Sequence, residues 1–159
     1  MPMRIGDPIP GFEGATDWLN GTREEAEGSL KGSPVLVHFW AISCGTCKEK
    51  MPDLKELQEM FEPAGLKSFA VHLPRYEADT NLEAVREAIG ANGITEICAV
   101  DNQHKLKEAF KNEQGWVPVY YLFDPEGNLK MRAAGEFGVG ILRSALERMF
   151  AGRSNEASA

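Results

Sequence analysis

The chain has 159 residues, 43% of them apolar, which suffices for one domain with a real core and is too short for two ordinary ones. A formal net charge of -7 and a pI near 5.0 argue against nucleic acid or an anionic membrane surface as a partner, because both select an excess of Lys and Arg. No stretch approaches the roughly 18 uninterrupted apolar residues of a membrane span, and the N-terminal segment has no apolar signal core. Three cysteines do not make a disulfide scaffold at this size, so a cytosolic, reducing location is expected.

The segment Met1–Pro10, with Pro2, Pro8 and Pro10, reads as an irregular lead-in with few core candidates. Trp18 to Thr22 resembles a hairpin tip, and Thr22 with Glu25 forms a capping-box pattern that predicts a short helix over Arg23–Leu30. Val35–Trp40 is apolar on both faces except for His38, as in a strand covered by helices on either side. From Cys44 to Glu62, Met51, Leu54, Gln58 and Phe61 recur at helical spacing, and Pro52 inside that helix removes a backbone donor and predicts a kink. Leu66–His72 reads as the next strand. Thr80 with Glu83 suggests a second capping box before a helix lined by Leu82, Val85 and Ile89. Ile97–Val100 is a third strand and Gln103–Lys111 a further helix. Val119–Phe123 and Leu129–Ala133 flank Asp124-Pro125-Glu126-Gly127-Asn128, a turn sequence that predicts an antiparallel hairpin. Ile141, Leu142, Ala145, Leu146 and Met149 define the closing helix. The expectation is one domain over residues 1–151 and a disordered polar tail over 152–159.

Cys44 and Cys47 sit where the first central strand feeds its helix, separated by Gly45 and Thr46. A sulfur at a helix start lies at the positive end of the helix dipole, which stabilises a thiolate. Lowering a thiol pKa from about 8.5 to about 7 raises the thiolate fraction at neutral pH from roughly 3% to roughly half. The spacing also lets the two sulfurs close a small disulfide ring across one helical turn, so the pair can hold or release two electrons. A lone CxxC can also be half of a zinc site, but zinc requires four ligands, and neither a second CxxC nor a spaced His pair is present.

The run Val35-Leu36-Val37-His38-Phe39-Trp40-Ala41-Ile42-Ser43-Cys44-Gly45-Thr46-Cys47-Lys48, together with Pro52 and Val117-Pro118, resembles the thioredoxin superfamily over nearly the whole chain. The extra strand and helix between Leu66 and Gly93 resemble its TlpA/ResA-like branch, and HFWAISCGTCKEKMP, AVHLPR and WVPVYYLFD resemble a bacterial cytosolic member of it. The resemblance implies an α/β thioredoxin-like fold: a mixed central sheet flanked by helices, with a strand-helix insertion and a short N-terminal extension. It further implies Cys44 as an exposed attacking thiol, Cys47 as the resolving thiol, and a cis Val117-Pro118 bond facing them. Val117 would offer backbone groups to an extended substrate segment, with Trp116 flanking that surface. Two positions depart from the thioredoxin pattern: Thr46 replaces a proline, and His38 stands where thioredoxin has a buried Asp. His38 either takes the Cys47 proton or is simply a hydrogen-bonded core histidine. Trp40 is expected to pack beneath the cysteine loop and to report redox state by fluorescence.

Arg75 and Glu77 either face the site from the inserted unit or sit in a solvated loop. Cys98, in an apolar strand, reads as a small core residue. The sequence therefore favours a thiol-disulfide oxidoreductase over a binding module with a silent pair or a metal carrier. It predicts no metal and no cofactor beyond the Cys44–Cys47 disulfide. The expected partners are protein disulfides and an electron donor that the sequence does not identify, with the chain acting as a monomer. The peroxiredoxin Pro-x-x-x-Thr-x-x-Cys pattern is missing, which weakens a peroxidase reading.

Overall fold

Eleven elements follow in the order β1 (Asp17–Leu19), α1 (Arg23–Gly28), β2 (Val35–Trp40), α2 (Gly45–Phe61), β3 (Lys67–His72), α3 (Leu82–Ala91), β4 (Ile97–Val100), α4 (Lys105–Ala109), β5 (Val119–Phe123), β6 (Leu129–Ala134) and α5 (Gly138–Ser158). The structure is a computed structural model that describes the backbone of residues 1–158 and the side chains of residues 1–151. The tail expected over 152–159 lies outside the fully described residues. One six-stranded sheet runs β1-β4-β3-β2-β5-β6. β2, β3 and β4 are mutually parallel, whereas β5 is antiparallel to β2 and β6 to β5. This is the mixed sheet expected from the sequence, with the β3–α3 unit inserted between α2 and β4.

β2 sits in the middle and is buried at every position, which explains its unbroken apolar sequence. Its alternate residues feed two separate cores. Leu36 and Trp40 join Cys44, Cys47, Met51, Leu54 and Leu57 of the α2 layer, together with Val85 and Ile89 of α3 and Leu142 and Leu146 of α5. Val35, Val37 and Phe39 face the other way, against Phe12, Ala26, Leu106, Phe110 and Tyr121. Phe110 packs against Phe39 and Tyr121 at 5.3 Å each, so that second layer is largely aromatic.

Four local expectations are corrected by this packing. Trp18 to Thr22 is no hairpin tip, because β1 pairs with β4 across the chain, Trp18 opposite Ala99, and Asn20 turns out of the strand at φ 63°. The lead-in contributes to the core: Met3 is buried, and backbone hydrogen bonds from Gly6 N–H to the Leu129 carbonyl, Leu129 N–H to the Asp7 carbonyl and Ile9 N–H to the Gly127 carbonyl lay it along the β5–β6 turn. On α2 the fourth buried position is Leu57; Gln58 and Phe61 are only partly covered. α3 is capped by Asn81, whose side chain accepts from the Ala84 N–H at 3.0 Å, while the Thr80 hydroxyl donates back to the Glu77 carbonyl. The Thr22 cap on α1 is present, accepting from Glu25 N–H at 3.2 Å. α2 continues helically through Pro52, which lies on its exposed side.

Candidate active site

Cys44 is the N-cap of α2, with extended backbone (φ -94°, ψ 104°), and its sulfur accepts the Cys47 N–H at 3.0 Å. The sulfur thus occupies the place of a capping oxygen and faces the unpaired amides of the first helical turn. Cys44 and Cys47 are joined in a disulfide, with Cα atoms 5.3 Å apart. The expectation of an exposed Cys44 is corrected: it keeps only 3% of its surface accessible, because the sulfur is turned inward toward that amide and lies 3.7 Å from the Val117 carbonyl oxygen. A Cβ added at Gly45 would meet nothing within 4 Å, so the space over the first turn is open. Thr46 is partly exposed beside it.

The Val117–Pro118 bond is cis, and Pro118 is buried. Its loop is held from both sides. Gly135 N–H donates to the Pro118 carbonyl at 2.9 Å, and the buried Asn112 side chain accepts from the Trp116 N–H while donating to the Trp116 carbonyl. Trp116 itself is half exposed, and its indole N–H donates to Gln114. The sequence-predicted substrate segment, Trp116 to Pro118, is therefore fixed against the disulfide.

Trp40 is fully buried in the same cluster as both cysteines. Its indole meets the His72 ring edge-on at 4.9 Å. Cys98 is also fully buried, and burial pushes its thiol up to about 12, against a smaller opposing effect from the Trp40 indole. It is the core residue expected from its strand.

His38 lies on the α2 face of β2, between Leu36 and Trp40, as the period of a strand requires. Its Nε2 pairs with Glu96 Oε2 at 2.9 Å, and Gln58 donates to the same carboxylate oxygen. Burial opposes the charge on Glu96, but hydrogen bonds from His38 and Gln58 hold its pKa down to about 2. Gln58 is three turns beyond Cys47, about 16 Å along α2. This nitrogen of His38 therefore points away from the cysteine end of the helix, and among the described residues no hydrogen bond joins His38 to either cysteine.

Two residues that the sequence did not mark as site candidates, His72 and Asp79, touch the cysteine loop directly. His72 Nε2 accepts the Ile42 N–H at 3.1 Å, so its proton is on Nδ1 and the ring is neutral. Burial pushes its pKa down to about 4, partly offset by the Asp79 carboxylate. Asp79 accepts the Ser43 hydroxyl at 2.7 Å and the backbone N–H groups of Arg75 and Tyr76 at 2.9 and 3.3 Å. Burial works against its charge, yet the Ser43 hydroxyl and the two amides keep its pKa below the ordinary value. Of the two inserted-unit candidates, Arg75 reaches the loop, donating to the Ser43 carbonyl at 2.7 Å and to the Ser43 hydroxyl at 3.2 Å. Glu77 is exposed, and the carboxylate at the loop is Asp79. The only signal in the sequence is a second histidine in an apolar strand, followed within seven residues by an acid. Among the described residues no group of three or more His, Cys, Asp or Glu side chains could hold a metal ion, and no helix is long and apolar enough to cross a membrane.

A redoxin family model matches residues 4–148, nearly all of the folded chain. The chain belongs to the redoxin family. It is 39% identical over 151 residues to the thiol-disulfide oxidoreductase YkuV of Bacillus subtilis, covering 94% of this chain and 98% of that one. It is 28% identical over 149 residues to the thiol-disulfide oxidoreductase ResA of Oceanobacillus iheyensis, covering 90% and 71% of the two chains. The solution structure of a thioredoxin-like protein in its oxidized form superposes with a TM-score of 0.81 at 38% identity, over 94% of this chain and 99% of that one. These matches agree with the TlpA/ResA-like resemblance, and the redoxin sheet places the CxxC pair and the cis-proline loop side by side.

Proposed function

We infer that this protein reduces protein disulfides by dithiol exchange at Cys44 and Cys47. The observation that carries the reading is the capped, disulfide-bonded pair lying against the Val117 carbonyl of a cis-proline loop. The chemistry is thiol-disulfide exchange, as in the oxidoreductases it resembles. In the reduced protein the Cys44 thiolate attacks one sulfur of a substrate disulfide, forming a mixed disulfide and expelling the other substrate sulfur as thiolate. Cys47 then loses its proton and attacks the Cys44 sulfur. That closes the Cys44–Cys47 bond and releases the second substrate thiol, so two electrons have moved from the pair to the substrate. His38, through the ring nitrogen not held by Glu96, is the proposed acceptor of the Cys47 proton.

Substrate would lie extended along Trp116, Val117 and Pro118 and pair with the chain through backbone groups, which gives weak sequence preference. A dithiol donor must return the electrons. A cytosolic location and a monomeric state complete the proposal, supported by the low cysteine count and by a site built from one chain. Insulin reduction driven by dithiothreitol tests it: wild type accelerates precipitation, Cys44→Ser does not, and Cys47→Ser accumulates a mixed disulfide. Equal rates for wild type and Cys44→Ser would rule the function out.

A further inference from the structure

The residue before Cys44 is held in a closed polar ring. Asp79, 3% exposed, accepts hydrogen bonds from the Ser43 hydroxyl and the Arg75 and Tyr76 amides, and Arg75 returns its guanidinium to Ser43. Nη2 of Arg75 donates to the Ser43 carbonyl at 2.7 Å and Nε to the Ser43 hydroxyl at 3.2 Å. That carbonyl belongs to the peptide joining Ser43 to Cys44, so the cation rests on the peptide that carries the reactive sulfur. Arg75 is otherwise solvent-exposed. Its planar fork, spanning one carbonyl and one hydroxyl, fixes where its charge sits in a way that a lysine would not. The groove beside the ring is also lined by Lys48 of α2 and Glu87 of α3, whose opposite charges offset one another.

We propose that Arg75, anchored by Asp79, is a positioning residue that sets the thiolate of Cys44 and thereby the redox equilibrium of the pair. A cation near a thiolate favours the ionised form. The thiolate exists only in the reduced protein, so Arg75 stabilises that state and makes the pair more oxidising than a neutral residue would. The inference rests on Cys44 being the attacking thiol.

The test is made on the full chain, following Cys44 ionisation by thiolate absorbance and the Cys44–Cys47 equilibrium in a glutathione buffer. Arg75→Gln is expected to raise the Cys44 pKa and to shift the equilibrium toward the disulfide by about threefold to tenfold, about 15 to 30 mV. Arg75→Lys should recover part of that shift, and the difference between wild type and Arg75→Gln should shrink as salt is added. Arg23→Gln, which removes a cation on the far layer, should leave the equilibrium within about twofold of wild type. A folded Arg75→Gln protein with a wild-type pKa and equilibrium would overturn the inference, as would Arg23→Gln shifting the equilibrium equally. Because wild-type insulin reduction is measured alongside, an inactive wild type would instead strike at the disulfide-reducing function.

Discussion

His38 and His72 are buried histidines on neighbouring parallel strands, β2 and β3, set two register steps apart, and they do different work. His38 turns its Nε2 toward Glu96 and Gln58 beneath the far part of α2, where it supports a buried charge. His72 turns its Nε2 toward the Ile42 amide, two residues before Cys44, and stays neutral because burial disfavours its protonation. The histidine at the position marked by the thioredoxin pattern is thus tied to a remote carboxylate, and the one on the adjacent strand braces the reactive loop. The lesson is that the side chain's partner, not its place in a motif, decides what a buried histidine can do.

The largest expected effect separates the two. Removing one member of a buried pair leaves an uncompensated charge, so His38→Ala should cost about 3 to 5 kcal/mol in urea unfolding. His38→Gln keeps a donor for Glu96 and should cost about 1 kcal/mol. It is a poor proton acceptor, so it also reads the proposed acceptor role: resolution of the mixed disulfide should slow. If His38→Ala costs under 1 kcal/mol, the Glu96 pair is not a support and the contrast with His72 collapses.

Acid should then resolve the pair of sites in separate pH windows. For His72 the folded pKa lies below the unfolded one, so the unfolded chain binds the extra proton between pH 6.5 and about 4. Stability is full above that window and falls by about 3 kcal/mol as pH drops through it. Glu96 is also depressed in the fold, from 4.5 to about 2. Its contribution, again about 3 kcal/mol, is present above pH 4.5 and is lost as pH falls to about 2. Urea titrations at stepped pH should show His72→Gln flattening the upper window and Glu96→Gln the lower one. An unchanged upper slope in His72→Gln would mean that His72 does not titrate as its burial requires.

The elements on either side of these histidines were readable to different depths. β2, β4 and β5 are apolar runs bounded by turn residues, and their limits in the structure coincide with the runs because a doubly covered strand tolerates little else. The cysteine pair was legible as well, since strand, CxxC and helix adjoin in sequence. What could not be read were contacts made across the chain by single polar side chains. Glu96 reaches His38 over 58 residues, and Asp79 reaches Ser43 over 36. No local periodicity encodes either. Cys44 was expected exposed because a nucleophile must be reached, yet its burial depends on Val117, which is 73 residues away.

The smallest expected effect lies in the inserted unit that carries the His72 side of the comparison. Its loop leaves β3 at His72, passes Arg75 and Asp79, and enters α3 at Asn81, so the cap of α3 fixes the far end of the segment that holds Ser43. The sequence pattern points to Thr80 for that cap, one residue before the side chain that fills it. In the fold the Asn81 side chain takes the Ala84 amide, while the Thr80 hydroxyl closes the preceding turn onto Glu77. Asn81→Ala should therefore lower stability by about 1 kcal/mol, and Thr80→Ala by about half of that. Both substitutions leave His38 and Glu96 untouched, so neither should alter the acid window between pH 4.5 and about 2. If Thr80→Ala were the costlier of the two in thermal unfolding, the cap would be misassigned, and the anchoring of the Asp79 loop would have to come from the turn rather than from α3.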